Sequence, residues 1–478
     1  MTQDAFPTPT PKPGELSFWT KLAFGAGDLS PALTANLQVF LLLPFLTDVA
    51  GLPAAWAGSV LMVGKVSDAV NDPIIGILSD RTRSRWGRRY PWILFGAFPF
   101  AIFFFLQWLV PQFGSATALF WYYLIVGILF NLAYTAVNLP YTALTPELTR
   151  DYNERTNLNR FRFTFSIGGS ILSLLVAAGI SRLIEDPQQR YFTIGAAFGL
   201  FSIIPLYWCV WGTKARADQM QATHQPAEQP TSIPLKKQLQ IAFTNRPFLF
   251  VIGIYLFSWL AVQITATTLK YYVNSWMGLS DTSFYTVAVT VQGTAMVMLS
   301  VWSPLSRKLG KKTVYYMGIA MWVIAQGGLF FLQPGQVFLM YMLAVMAGLG
   351  VSTAYLIPWS MLPDVIELDE LNTGQRREGV FYAFMVVLQK MGLALGLFLV
   401  GQALDLAGYV EGTAVDAASV QQPDSALLVI RLAIGPVPTL CLIAGMVLAY
   451  FYPITKEKHE EILLRLQNQD QTTSQSQP

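Results

Sequence analysis

The sequence predicts an all-α membrane protein of twelve transmembrane helices arranged as two six-helix bundles. Three observations predict it. Apolar residues make up 53% of the 478 residues and charged residues only 12%, whereas soluble domains carry about a quarter charged residues. Apolar runs of about 20 residues, long enough to span a hydrocarbon core, recur from end to end. One long polar stretch, "KARADQMQATHQPAEQPTSIPLKKQLQIAFTNRP", separates six runs from six.

In chain order, the arm 1–19 is polar and Pro-rich. It lacks the basic, apolar and small-residue succession of a signal peptide and reads as disordered. The first bundle, 20–213, holds spans at about 20–47, 55–79, 91–111, 117–145, 161–182 and 192–213. A cytoplasmic loop is expected over 214–247. The second bundle, 248–452, holds spans at about 248–273, 281–304, 313–333, 337–362, 378–406 and 426–452. The tail 453–478 ends in "QNQDQTTSQSQP", again a disordered composition.

Basic residues fix the expected orientation. They crowd the loops after spans 2, 4, 6, 8 and 10, including Arg81, Arg83, Arg85, Arg88 and Arg89, then Arg150 and Arg155, then Lys311 and Lys312, then Arg376 and Arg377. The opposite loops are nearly empty, with Arg182, Arg190 and Lys270 as exceptions. The positive-inside rule then places both termini in the cytoplasm. A net charge of +3 spread over such short clusters gives no reason to expect nucleic acid. Cys209 and Cys441 lie in apolar runs and form no disulfide or metal framework. His224 and His459 lie in polar segments, so no histidine cluster is expected. No P-loop is present, which argues against ATP-driven transport, and no nucleophile–base pair points to an enzyme.

The two halves echo each other. "SRWGRRYPWILFG" follows span 2 and "SRKLGKKTVYYMG" follows span 8. "LPYTALTPELTRDYNERT" follows span 4 and "IPWSMLPDVIELDELNTG" follows span 10. Repeated halves are how many secondary transporters are built, with the site near mid-membrane between them.

Charged residues inside the spans mark that site. In "KVSDAVNDPIIGILSDRTRSRWGRRYPWILFG", Asp68 and Asp72 lie one helical turn apart on one face, with Lys65 three residues earlier and Asn71 beside Asp72. A charge at the membrane centre costs about 2.5–3.5 kcal/mol on insertion scales, so these groups face a cavity or a partner. Two close carboxylates repel unless a cation sits between them or one is protonated. They are the candidate Na+ site; the structural alternative is a salt-bridge network with Lys65 that only locks helices together. Pro73 is expected to loosen the helix and free nearby carbonyls. Asp80 with Arg88 and Arg89 reads as a topology anchor or as a latch between transport states. Lys390, near the middle of span 11, is expected to face the carboxylates of span 2. Arg162 opens span 5 and Asp28 lies one or two turns into span 1; each is a candidate for substrate contact, and Asp28 alternatively for pairing with an arginine. Thr135 and Asn138 share a face of span 4. Tyr134, Tyr141, Trp359 and Tyr382 are candidates for stacking on a sugar ring, with packing as the default for each.

These motifs closely resemble the signature of the glycoside–pentoside–hexuronide:cation symporters, a family of the major facilitator superfamily that includes melibiose permease. The resemblance covers essentially the whole chain, including "LTPELTRDYNERT", "LPDVIELDELNTGQRREGVFY" and "LQKMGLALG". It implies a cation site of Asp68, Asn71, Asp72 and Thr135, coupled to Na+, Li+ or H+ and needing no other cofactor. It matches Lys390 and Arg162 to the family's basic residues on helices XI and V. The sugar site departs from the pattern. Asn138 and Thr142 stand where melibiose permease has an Asp and a Trp, and the helix I Asp falls near Ala32, a turn after Asp28. The motifs also resemble the lysophospholipid symporters of the same family. The expectation is therefore a monomeric cation-coupled sugar or glycoside symporter of a bacterial inner membrane, surrounded by lipid. The alternatives are symport of a lysophospholipid or other amphiphile, and a non-transporting receptor or scaffold.

Overall fold

Each apolar run folds as a helix because the hydrocarbon core offers no partner for backbone N–H and C=O groups, which must then bond within the segment. The computed structural model describes residues 16–149, 151–223, 235–374, 377–411 and 421–475. The first half holds α1 (Phe18–Asp48), α2 (Ala54–Arg81), α3 (Tyr90–Leu106), α4 (Ala116–Thr142), α5 (Tyr152–Leu183) and α6 (Pro187–Thr223). The second holds α7 (Arg246–Trp276), α8 (Asp281–Leu309), α9 (Lys311–Phe331), α10 (Val337–Thr373), α11 (Glu378–Leu406) and α12 (Asp424–Phe451). Ten of the twelve segments are long and apolar enough to span by composition alone, some when trimmed or extended at an end. The other two are α3, which is short, and α2, whose apolar character is interrupted by Lys65, Asp68, Asp72, Asp80 and Arg81. The candidate site thus lies on the helix whose apolar run is broken by charge.

The helices run past the expected spans, since membrane thickness limits the apolar run and not the helix. Thus α5 starts at Tyr152, α6 reaches Thr223 and α10 reaches Thr373. Polar pairs such as Lys214–Asp218, four residues apart at 2.6 Å, suit such extensions. The stretch expected as a loop also holds a linker helix, Leu235–Thr244, and the expected tail holds a helix, Lys456–Gln475. Most of the expected arm, and Arg150, His224 and Arg376, lie outside the described residues.

Between the halves, α2 packs on α11 and α5 on α8. The end of the bundle bearing Leu16 and the tail helix is the terminus side. On the opposite, far side the halves are sealed together. Arg190 of α6 pairs with Asp281 of α8, and Lys270 of α7 lies 3.4 Å from the same carboxylate. Thr47 and Tyr271 hydrogen-bond at 2.8 Å, and Tyr409 donates to Asp48 at 3.0 Å. Two irregular turns lie in this outer region, the π-helical Gln38–Leu42 in α1 and Tyr272–Trp276 in α7. On the terminus side the described ion-pair clusters each stay within one half. Arg88 and Arg89 converge on Glu147, and Arg89 also reaches Asp80. Lys311 holds Asp364, and Arg377 holds Asp369.

Candidate functional site

The site is built on α2 at mid-membrane. The α2 helix continues through Pro73, although the missing proline N–H deprives the Ala69 carbonyl of its helical donor. Asp68 is almost wholly buried, at 3% exposure, and Asp72 is half-buried. Both carboxylates turn to the same point. Lys390 of α11 reaches across the seam and places its ammonium 2.9 Å from Asp68 Oδ2 and 2.6 Å from Asp72 Oδ2. From α4, Thr135 Oγ1 lies 2.5 Å from Asp68 Oδ1 and 3.2 Å from Asp72 Oδ1. One hydroxyl proton cannot serve both carboxylates fully, so the shorter contact takes it.

The charges of this cluster decide what it can hold. Two carboxylates and one ammonium leave one net negative charge. The carboxylate and hydroxyl oxygens of Asp68, Asp72 and Thr135 form a hard, all-oxygen donor set that fits a small monovalent cation, and Lys390 competes for the same oxygens. Asn71 stands beside them with its amide nitrogen buried and unpartnered.

Lys65 does not join this cluster. Its ammonium turns away to the side-chain oxygens of Asn131, at 3.1 Å, and Gln38, at 3.3 Å. Gln38 in turn donates to Gln107 at 2.7 Å. This neutral cradle borders a cavity of about 40 Å³, also walled by Leu393 and Leu397, with room for water-sized species only. The alternative of a network of Lys65 with the two aspartates is not formed; Lys390 faces them, as its place in span 11 leads one to expect. A lysine stem is long enough to leave its own helical face.

The remaining candidates form a second group near α1 and α5. Asp28 sits where α1 breaks into two helical pieces and pairs with Arg162 Nε at 3.4 Å. Arg162 lies over the ring of Tyr141, 6.0 Å from its centroid. Tyr141, a candidate for stacking, offers no open face. It is fully buried, stacked on Phe24, and its hydroxyl donates to the Phe24 carbonyl at 2.8 Å. Asn138 carries a buried, unpartnered Oδ1, whereas Thr142 bonds back to the Leu139 carbonyl at 2.9 Å. In the second half Trp359 stacks on Tyr382 with centroids 6.2 Å apart. Arg88 and Arg89 meet at Glu147, and Arg89 also reaches Asp80; nothing local in the sequence singles out Glu147. His459 Nε2 lies 2.6 Å from Glu367 and 3.3 Å from Asp364. Those ligand atoms lie within 4.8 Å of one another, but Lys311 already holds both oxygens of Asp364, at 2.6 and 2.8 Å. The cluster is a polar clasp in which His459 ties the tail helix to α10.

Two six-helix bundles meeting around buried mid-membrane charges define a transporter of the major facilitator type. A family model described as MFS/sugar transport protein matches residues 23–456, and the chain belongs to that family. It is 50% identical to an uncharacterized symporter of Synechocystis, sll1374, over 96% of this chain and 98% of the relative. It is 28% identical to the inner membrane symporter YicJ of Escherichia coli, over 96% and 98%. It is 26% identical to the sodium-dependent lysophosphatidylcholine symporter 1-A of Danio rerio, over 95% and 90%. Among solved structures, the nucleoside transporter NupG shares the fold, with a TM-score of 0.64 at 13% identity over 90% of this chain and 99% of that one. The protein is a multi-pass membrane symporter, in line with the family resemblance of its motifs.

Proposed function

We propose that the protein couples Na+ to the movement of a sugar or glycoside by alternating access, in a bacterial inner membrane with both termini cytoplasmic. The carrying observation is the ammonium of Lys390 lodged between Asp68 and Asp72 across the seam. In this reading Na+ takes the two carboxylates and Thr135, Lys390 withdraws, and the seam between α2 and α11 loses its strongest polar tie. A cation that enters without substrate leaves Lys390 as an unpaired charge at mid-membrane, which disfavours ion leak. The sealed side is then periplasmic, and the structure corresponds to a state closed to the outside. Asp28, Arg162, Asn138 and Trp359 are the proposed substrate contacts, and Asp80, Arg88 and Arg89 with Glu147 the proposed cytoplasmic latch. One chain contains the whole cation site, so a monomer suffices.

Symport of a lysophospholipid is the second reading. It draws on the zebrafish relative and on Asn138 and Thr142, which replace the acidic and stacking residues of the sugar pattern. Ligand binding by the purified protein tests both. Sodium, glycosides and lysophospholipids are titrated beside Asp72→Cys, with fluorescence or calorimetry as the readout. Sodium binding lost in the variant, with sodium-dependent glycoside binding in the wild type, is the expected result. Substrate binding that follows proton concentration and ignores sodium refutes the choice of ion. Binding confined to lysophospholipids refutes the sugar.

A further inference from the structure

We propose that Trp259, Gln263 and Thr267 of α7 form a polar ladder that binds the hydroxyl groups of a ring-shaped substrate. The assignment rests on the sugar reading above and extends it to a part of the second half that no motif marks.

The three residues are spaced four apart on one continuous helix, so they follow one face turn by turn. Trp259 Nε1, Gln263 Oε1 and Thr267 Oγ1 are all buried, and each lacks a hydrogen-bond partner. Gln263 is 3% exposed and Thr267 is fully buried. Proteins pair nearly all such atoms, so three in register on one helix require a reason. The row faces α11, which approaches through two glycines. A Cβ on Gly392 would meet Trp259 Cδ1 at 3.1 Å, and one on Gly396 would meet Gln263 Cβ at 3.1 Å.

The surroundings favour a ring. Trp259 stacks on Tyr255 at 5.8 Å and tilts against Tyr355 at 5.6 Å, and Tyr255 meets Trp359 at 5.8 Å. The repeat explains the placement. Trp359 in "IPWSMLPD" corresponds to Tyr141 in "LPYTALTPE", and Tyr255 packs against Trp359 as Phe24 packs against Tyr141. Four residues on, the first half has Asp28 and the second has Trp259. One half therefore offers charge, through Asp28 and Arg162, and the other offers aromatic faces with neutral hydrogen-bonding edges.

Donor and acceptor chemistry selects the ligand class. The indole N–H needs an acceptor, the Gln263 oxygen needs a donor, and the Thr267 hydroxyl serves as either. Neighbouring hydroxyls on a sugar ring supply both, and the C–H face of the ring stacks on indole. A phosphocholine headgroup supplies acceptors only, and a lysophospholipid adds one glycerol hydroxyl as its single donor, where a sugar ring offers several hydroxyls in a row.

The test measures glycoside binding and thermal stability of the purified full-length protein, in wild type, Gln263→Leu and Thr267→Val, with sodium affinity as the check on folding. For Gln263→Leu we expect about tenfold weaker glycoside binding, within the range for a lost hydrogen bond. We also expect unchanged sodium affinity and a melting temperature equal to or above wild type. A deoxy-glycoside that binds wild type weakly and Gln263→Leu no worse than the parent sugar identifies the contacted hydroxyl. Wild-type glycoside affinity in both variants overturns the ladder and leaves the sugar reading standing. If Gln263→Leu loses stability and sodium binding together, Gln263 has a structural role and Thr267→Val decides: wild-type glycoside affinity there overturns the ladder. A wild type that responds to sodium but binds no glycoside overturns the sugar reading, and the ladder with it.

Discussion

Lys390 Nζ lies 2.6 Å from Asp72 Oδ2, joining α11 to α2 between residues 318 apart in sequence. The pair spans the two halves and occupies the oxygens proposed for the cation, so ion and lysine exclude each other there. Replacing Lys390 with Gln removes the competitor. Sodium affinity is expected to rise about tenfold, corresponding to about 1.4 kcal/mol. Concentrative uptake is expected to vanish. One charge moved through 100 mV is worth about 2.3 kcal/mol, or roughly fiftyfold accumulation. Proteoliposomes with an imposed potential measure this, and a variant that still concentrates substrate excludes the coupling role.

Thr135 supplies a hydroxyl to a carboxylate at 2.5 Å. Hydrogen bonds to charged groups are worth about 1.5–3 kcal/mol. Thr135→Val is therefore expected to weaken sodium binding by one to two orders of magnitude, while Thr135→Ser keeps most of it. Equal affinities in the two variants would show that the hydroxyl is not a ligand.

The far-side seam depends on Asp281, which Arg190 and Lys270 both approach and to which Asn274 donates at 2.6 Å. Removing one partner of a buried ion pair is costly because the other charges stay behind; about 3–5 kcal/mol is typical. Asp281→Asn leaves two cations facing each other and should shift the population toward a state open on that side. Cysteines placed at Asn36 and Gln292, whose side chains meet at 2.9 Å in the sealed state, should become more reactive to a membrane-impermeant thiol reagent. Unchanged labelling would count against the gate.

These relationships were unequally legible in the sequence. Asp68 and Asp72 are readable because a one-turn spacing of like charges in an apolar run has few explanations. Thr135 came only through resemblance, since a lone threonine in a membrane helix is usually packing. Lys65 misled because helical position fixes where a lysine stem begins and not where its ammonium ends; Gln38 and Asn131, which capture it, look like ordinary packing residues. Arg190 and Lys270 appeared as blemishes in the charge asymmetry of the loops, and those blemishes are the partners of Asp281. The row on α7 was countable as Trp, Gln and Thr at four-residue steps, but only burial without partners distinguishes it from routine packing. Glu147 and the His459 clasp depend on contacts between distant segments, which no local pattern encodes.

Glu154 precedes the apolar part of α5 and anchors the start of α1. Burial opposes its charge, but hydrogen bonds from Lys21, the Leu16 N–H and Asn157 outweigh that and hold its carboxyl below the usual glutamate value. A depressed pKa means that the folded state favours the charged form. The stabilisation is thus present above the unfolded-state pKa and lost as pH falls through the folded-state value. Glu154→Gln should lower the melting temperature at neutral pH and narrow its gap to wild type as the medium is acidified below the carboxylate range. A gap that stays constant with pH would mean that the charge contributes nothing.

Gly58 of α2 and Gly401 of α11 set how closely the halves meet on the far side. A Cβ on Gly401 would lie 2.6 Å from the Ala54 carbonyl oxygen and 2.9 Å from Gly58 Cα. Both obstacles are backbone, so no side chain can swing away to make room. The seam above Lys390 closes only if both positions lack a side chain, whereas a state open on the far side has no such restriction. Gly401→Val is therefore expected to fold but to resist the sealed conformation. Sodium binding from the far side should persist, since Asp68, Asp72 and Thr135 are untouched. Turnover should fall by at least tenfold, because each cycle must pass through the sealed state. Distances between spin labels on α2 and α11 should lengthen at the far side. Full turnover in Gly401→Val would mean that the close approach of α2 and α11 is dispensable for transport.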